Sequence, residues 1–366
     1  MKQKNSFSGQ IGFVFAAAGS AVGVGNLWRF PYLAAKDGGG LFLLIYLVLV
    51  LTVGFVLLTT DIAIGRKTGK SAIYAYESMQ KKWKFLGVIT FLVPVLIMTY
   101  YAVIGGWILR YIVIYLTSSG KQAVADDCFT AFISSPSSVW YGLIFMLLTA
   151  LIVYNGVEDG IERVSKFIMP VLLIMVIGIA IFSLTLKTTL DDGTVRTGLQ
   201  GLKVYMKPDL TGITVGRFLQ ITLDAMSQLF FSLSVSMGIM ITYGSYVKKD
   251  VDLNKAVSQI EIMDTGVAFL AGVMIIPAVF VFSGLDGMSA GPGLMFVSLP
   301  KVFYSMGTVG RVIGILFFVL AGFAALTSCI SVLESITANC MELFHTERKK
   351  TTRVLSVIYL IATAVI

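Results

Sequence analysis

Long apolar stretches alternate with short polar ones along the whole chain. Nine of them read as membrane-spanning helices by the rule of about 20 residues per crossing. They lie near 10–35, 41–65, 86–116, 139–155, 163–186, 215–246, 256–283, 310–341 and 351–366, the last running into the end of the chain. Several exceed the minimum, which predicts tilt or projection from the bilayer. The pattern predicts an all-α polytopic membrane protein.

Two of the nine stretches are interrupted. Residues 19–31 read G-S-A-V-G-V-G-N-L-W-R-F-P. Gly19, Gly23 and Gly25 each disfavour a helix interior by about 1 kcal/mol relative to Ala, and Asn26 and Arg29 are polar at membrane depth, where polar groups mark sites by default. A broken helix accounts for all five. Freed carbonyls suit a bare alkali cation, and a half-helix N-terminus suits a carboxylate. A glycine-rich packing helix with one snorkelling Arg is the plainer alternative. In the sixth stretch, residues 228–238 read Q-L-F-F-S-L-S-V-S-M-G, with Ser232, Ser234 and Ser236 alternating ahead of Gly238. Serines compete for backbone hydrogen bonds and can satisfy a backbone that has opened. Divided after the fifth stretch, the chain has an interrupted helix first in each part. That placement points to a transporter site between inverted repeats: residues 1–186 form the first repeat of five helices, and 187–366 an incomplete inverted second repeat, helices 6–9.

Composition agrees with the pattern. The 366 residues are 57% hydrophobic and 13% charged, as in polytopic membrane proteins. A net charge of +8 would suit nucleic acid, but the basic residues gather in alternate loops. Lys2 and Lys4 precede the first stretch. Arg66, Lys67, Lys70, Lys81, Lys82 and Lys84 follow the second, Lys248, Lys249 and Lys255 the sixth, and Arg348, Lys349, Lys350 and Arg353 the eighth. This bias places the N-terminus and those loops in the cytoplasm of a cell-membrane protein. Residues 187–214 depart from it, with Lys187, Arg196, Lys203 and Lys207 on the opposite side. The first apolar run is too long for a signal peptide and lacks a cleavage site. Cys128, Cys329 and Cys340 suggest neither a disulfide nor a metal site, and His345 reads as solvated.

Other polar residues stand out against apolar surroundings. Thr327 and Ser328 are adjacent hydroxyls in the eighth stretch, hard oxygens that suit a small cation, unless both bond back to the preceding turn. Asp264 and Glu334 are acids at membrane depth; a carboxylate beside a cation site explains the first, and titration or a buried donor the second. Gly160 and Pro170 weaken the start of the fifth helix, which either unwinds or keeps a fixed kink. Residues 66–84 form either an amphipathic interface helix or a plain connection. No nucleophile–base pair, metal cluster or phosphate loop suggests an enzyme.

The stretch 19–31, with Gly38-Gly39-Gly40, Tyr100-Tyr101, the F-F-S-L-S run, I-T-Y-G-S-Y at 241–246 and L-T-S at 326–328, resembles the neurotransmitter:sodium symporter family, whose bacterial branch carries amino acids. The likeness covers essentially the whole chain and implies an inverted-repeat transporter with helices 1 and 6 broken. It implies two sodium sites: one from the Ala21 carbonyl, Asn26, Ser232, Asp264 and the substrate carboxylate, the other from carbonyls of Gly19, Val22 and Ala324 with the Thr327 and Ser328 hydroxyls. The substrate carboxylate would meet amides near Gly23 and Gly25 and the Tyr101 hydroxyl, and its amine the carbonyls near Ala21 and Phe231. Its side chain would meet Ile97, Phe231, Ser234, Met237, Ser328 and Val332. Phe231, Tyr101 and Arg29 would gate the site, and Gly160 with Pro170 would unwind helix 5.

Tyr46, Gln228 and Asp264 stand where animal relatives bind chloride. Asp264 in place of their Asn implies chloride-independent transport, and Gly23 in place of the Asp of amine transporters implies an amino-acid substrate. Family members have ten core helices or more, so the chain reads as truncated in helix 9. The expected function is sodium-coupled import of a hydrophobic or aromatic amino acid by alternating access. The alternatives are a non-transporting sensor or scaffold, an inactive fragment, or a proton-coupled permease using Asp264 or Glu334.

Overall fold

A computed structural model of the chain describes residues 6–365 except 119, 126 and 191. Lys2 and Lys4 lie outside the described residues. In chain order the helices are α1 (Gln10–Ala21), α2 (Val24–Lys36), α3 (Gly40–Leu49), α4 (Phe55–Thr68), α5 (Ala72–Met79), α6 (Lys84–Ser118), α7 (Cys128–Ile133) and α8 (Pro136–Tyr154). Then come α9 (Arg163–Thr185), α10 (Gly198–Met206), α11 (Val215–Ser232), α12 (Ile239–Gly244), α13 (Leu253–Ser283), α14 (Leu299–Ser305), α15 (Thr308–Phe344) and α16 (Arg348–Val365). Between α9 and α10, β1 (Lys187–Thr189) and β2 (Val195–Thr197) form an antiparallel hairpin with Lys187 opposite Thr197.

Among the described residues, six helical stretches are long and apolar enough to cross a membrane, and α1 with α2 forms a seventh, bent by 53°. The nine apolar stretches exceed this number for two reasons. The sixth is split: α11 carries Arg217, Gln220, Asp224 and Gln228, and the helix stops at Ser232 before resuming at Ile239. The ninth, α16, opens with Arg348, Lys349, Lys350 and Arg353, which lower its hydropathy. One turn of π-helix joins α3 to α4 at Val50–Gly54. A second, Val157–Glu162, leads into α9 without unwinding, so Gly160 sits in a wide turn and Pro170 within continuous helix. α6, with 35 residues, is about 52 Å long at 1.5 Å per residue and overruns a core of about 30 Å.

α13 and α15 are the most enclosed spans. α15 packs along α6, α6 against α8, α8 against α16, and α13 against α9 and α2. Exposed apolar stripes mark the outer helices: Phe167, Ile174, Ile177 and Ile181 on α9, and Val354, Val357, Ile358, Ile361 and Val365 on α16. Their helical spacing faces lipid rather than a core. α4 and α12 touch backbone to backbone at paired glycines: a Cβ on Gly65 would lie 1.9 Å from the Ile241 carbonyl, and one on Gly244 2.4 Å from that of Ile62.

The connection 66–84 holds the short helix α5, which docks on α6 and buries Ala72, Ile73 and Ala75. Its orphan amides are met from α15: Ser71 N–H donates to Glu342 at 3.0 Å, and Ile73 N–H to Asn339 at 3.1 Å. Cys329 and Cys340 are buried on α15, Cys128 opens α7, and His345 ends α15 in the left-handed region at φ 50°.

Candidate functional site

The two helix breaks face one another. At the first, Val22 is extended, and its amide closes α1 by donating to the Ala18 carbonyl at 2.7 Å. Asn26 then caps α2 from within: its Oδ1 accepts the Gly23 amide at 3.1 Å. At the second break, Ser234, Ser236 and Gly238 have φ of 52°, 60° and 73°. Two non-glycine residues in the left-handed region are strain of the kind that gathers at functional sites. The strained backbone is held by Asp61 on α4, buried, whose carboxylate accepts the Ser236 amide at 2.8 Å. Asp61 was missed in the sequence reading, although an acid in the second apolar stretch was a signal of the same kind as Asp264.

Asn26, Ser232 and Asp264 form a buried triangle. The Asn26 amide donates to Asp264 at 2.8 Å and to Ser232 Oγ at 3.1 Å, and Ser232 donates to both Asp264 oxygens at 2.9 Å. Among the described residues, the hydrogen-bond donors to the Asp264 carboxylate are thus neutral. Ala21 lies beside the triangle on the same cavity wall.

Thr327 and Ser328 behave differently. Thr327 bonds back to the carbonyls of Phe323 and Ala324, at 3.0 and 3.2 Å, as the plainer reading of that pair expected. Ser328 instead reaches across to the end of α1, donating to the carbonyls of Ser20 at 3.1 Å and Val22 at 3.4 Å. Gly19 packs on Thr327, where a Cβ would come within 3.2 Å of the Thr327 side chain.

Between the breaks lies a narrow cavity of about 30 Å³. Ala21, Gly23 and Asn26 line it from the first break, and Phe231, Ser232, Ser234 and Met237 from the second. Ile97 and Tyr101 of α6, and Ser328 and Val332 of α15, complete the expected set; Ser20 and Ile239 also line it, unforeseen. Gly25 stands outside the lining, under the Phe231 ring, where a Cβ would lie 2.6 Å from the ring. At Gly23 a Cβ would lie 2.9 Å from Ser328 Oγ and 3.2 Å from the Tyr101 hydroxyl. Only glycine lets the backbone approach so closely.

Further contacts join the elements around the two breaks. Phe231 covers Gly25, and Arg29 donates to Ser227 of α11 at 2.8 Å. The Phe7 ring packs 5.6 Å from that of Tyr243 and 6.2 Å from that of Tyr246. Ser8 donates through its amide and its hydroxyl to Glu162, which also pairs with Lys166. Glu334 has partners that no local pattern announced: both carboxylate oxygens accept from Arg348, at 2.6 and 2.7 Å, and one also accepts the Tyr246 hydroxyl at 2.7 Å. Tyr46 and Gln228 are fully buried near the Asn26 triangle, and neither the Tyr46 hydroxyl nor the Gln228 amide finds a hydrogen bond among the described residues.

The model of the sodium:neurotransmitter symporter family matches residues 4–134 and 128–366. A sodium-dependent transporter of Bacillus subtilis, YhdH, is 38% identical over 352 residues, covering 94% of this chain and 74% of its own length. The sodium-dependent transporter MJ1319 of Methanocaldococcus jannaschii is 32% identical over 372 residues, covering 95% of this chain and 72% of its own. The chain thus spans about three quarters of the length of these relatives. The crystal structure of MhsT in complex with L-phenylalanine is similar over 99% of this chain and 80% of that one, at 38% identity and a TM-score of 0.85. Family, fold and broken-helix geometry agree: the chain belongs to the sodium:neurotransmitter symporter family and is a multi-pass, sodium-dependent secondary transporter, not an enzyme.

Proposed function

We propose that the protein imports a hydrophobic or aromatic amino acid together with sodium by alternating access, without a chloride requirement. The observation that carries this reading is the cavity between the two breaks, polar where backbone opens and apolar where Ile97, Phe231, Met237 and Val332 wall it. A carboxylate fits beside Gly23 and Gly25, at the positive end of α2, with the Tyr101 hydroxyl close to Gly23. The amine faces the carbonyls near Ala21 and Phe231. Gly23 leaves room for the carboxylate, and no charged side chain lines the cavity to select a charged substrate. The similar MhsT structure, whose ligand is L-phenylalanine, favours the same class.

Two sodium ions fit this arrangement. The first is held by Asn26, Ser232, Asp264, the Ala21 carbonyl and the substrate carboxylate; a cation there offsets a buried negative charge whose hydrogen-bond donors among the described residues are neutral. The second is held by carbonyls of Gly19, Val22 and Ala324 and the hydroxyls of Thr327 and Ser328, whose lone pairs remain free while their protons bond to carbonyls. Sodium shared with the substrate carboxylate gives linkage: each ligand tightens the other. With the fixed charge of Asp264 in place, Tyr46 and Gln228 need hold no anion.

A cavity this narrow must widen to admit substrate, and Met237 and Phe231 are its adaptable walls. Phe231, Tyr101 and Arg29 form the outer gate. Gly160 and Pro170 are the place where α9 opens on the cytoplasmic side. Residues 1–186 and 187–366 act as inverted repeats, the protein resides in the plasma membrane, and the N-terminus is cytoplasmic. The test is uptake by proteoliposomes under an imposed sodium gradient. Accumulation of labelled leucine, phenylalanine or tryptophan above equilibrium, abolished by sodium ionophore, supports the proposal; binding without accumulation assigns a sensor, and uptake driven by a pH gradient without sodium assigns a proton-coupled permease.

A further inference from the structure

The connection between α9 and α11 carries basic residues on the side where the charge bias predicts few. Three of them converge. Arg196 of β2, Lys203 of α10 and Lys207 just beyond it line an open hollow of about 400 Å³, with Gln200, Val204 and Phe280 among its other walls. Gln200 and Lys203, three apart on α10, share one helix face, and the extended residues at either end of the helix bring Arg196 and Lys207 to the same hollow. The other face of α10 buries Gly201 and Tyr205 against α13 and Gly198 against the end of α9, the Tyr205 hydroxyl donating to the Phe269 carbonyl at 3.2 Å. The guanidinium of Arg196 stacks over the Phe280 ring at 5.8 Å, which fixes it at the rim.

None of the three cations has an ion pair among the described residues. Two acids of the same connection, Asp192 and Asp209, are exposed and accept the amides of Thr194 at 2.8 Å and Thr211 at 3.0 Å. The backbone and side chain of Thr194 and the side chain and backbone of Thr211, with smaller contributions from the charges of Arg196 and Lys207, hold both carboxyls below their usual range. Around the hollow, Val195, Leu199, Met206 and Leu210 stand exposed, Leu199 at 63% and Leu210 at 62%. Cations ringed by outward apolar side chains, at the end of membrane-spanning helices, are the arrangement that meets lipid headgroups at the interface.

We propose that this hollow binds a phosphate-bearing anion, supplied by the headgroup of an anionic phospholipid in the leaflet it faces. Arg196 gives the planar fork for two phosphate oxygens, Lys203 and Lys207 add charge, and the apolar rim takes the first methylenes of the acyl chains. The bound lipid would brace the 187–214 connection against α13, beside the bridge that joins Pro208 to Gly39 at the α2–α3 corner.

The test is melting of the purified full chain in neutral detergent, titrated with short-chain phosphatidylglycerol, with phosphatidylcholine of the same chains, and with glycerol phosphate. Phosphatidylglycerol should raise the midpoint saturably and phosphatidylcholine should not. Replacing Arg196, Lys203 and Lys207 by Gln should weaken the response roughly a hundredfold, at about fivefold per cation. Lys81→Gln with Lys82→Gln, in the loop at the opposite end of the spans, should leave it unchanged. If the triple variant melts too low, Arg196→Gln and Lys203→Gln alone should each cost about fivefold. An equal response to glycerol phosphate keeps the site and assigns its anion to solution. Equal responses to both lipids, or a triple variant that responds as the parent does, would overturn the proposal.

Discussion

The side-chain amide of Asn26 and the carboxylate of Asp264, 238 residues apart in the chain, meet at 2.8 Å. The contact ties the second half of the first broken helix to the middle of α13, and Ser232 brings in the end of α11. A buried carboxylate at Asp264 whose hydrogen-bond donors among the described residues are the neutral Asn26 and Ser232 suits a cation. Asp264→Asn should lower sodium affinity tenfold or more, within the range of about 5–150-fold that couplings of 1–3 kcal/mol produce. It should also make uptake respond to chloride, to which the unsubstituted protein should be indifferent. Proteoliposome uptake in chloride and in gluconate checks both; chloride stimulation of the parent itself would remove the proposed role of the fixed charge.

Gly25 is covered by Phe231, with room for hydrogen only. Gly25→Ala should push the ring off the site and weaken substrate binding roughly tenfold, overpacking costing about 1–3 kcal/mol. Shortening the ring in the double variant Gly25→Ala, Phe231→Leu should recover part of the loss. Additive losses in the double-mutant cycle would show that the two positions do not act through one contact.

Glu334 is fully buried and Arg348 nearly so. Removing one partner leaves the other charge buried and unpaired, at a cost of about 3–5 kcal/mol. Glu334→Gln should therefore lower the melting midpoint in detergent by several degrees. The apolar pair Glu334→Leu, Arg348→Met should restore most of it. A double variant no more stable than the single one would mean that the Tyr246 hydroxyl, not the ion pair, carries the effect.

Much of the site was legible because it is built from local features. The glycines of 19–31 cannot sustain helix, and the alternating serines of 232–236 mark the second opening; both breaks fall there. The partners of Glu334 and the strap from Asp61 to Ser236 were not legible: Arg348 follows Glu334 by only 14 positions but lies on the next helix, past the turn at His345, and 175 positions separate Asp61 from Ser236. Apolar content also blurred boundaries. The sixth stretch ran on past Ser232 because its break is itself rich in Leu, Val and Met, so hydropathy stays high where the helix stops. For Gly160 and Pro170 the sequence leaves unwinding and a fixed kink equally open; in this structure a π-turn takes up the glycine and the helix runs on through the proline.

That π-turn and Pro170 still leave the first turns of α9 with fewer regular hydrogen bonds than the rest of the helix. Pro170→Ala should restore one and slow sodium and substrate release to the cytoplasmic side several-fold, while equilibrium binding from outside changes less than twofold. Exchange and binding measured on the same proteoliposome preparation separate the two. Equal effects on both would mean that α9 does not open during transport.

The central claim is that opened backbone at two helix breaks holds sodium and the substrate carboxylate together. Equilibrium binding of labelled phenylalanine and leucine to the purified chain, in sodium and in potassium at matched ionic strength, tests it most directly. The account predicts saturable binding in sodium that falls at least tenfold in potassium and is lost in Asn26→Ala. Binding of equal strength in the two salts would contradict it.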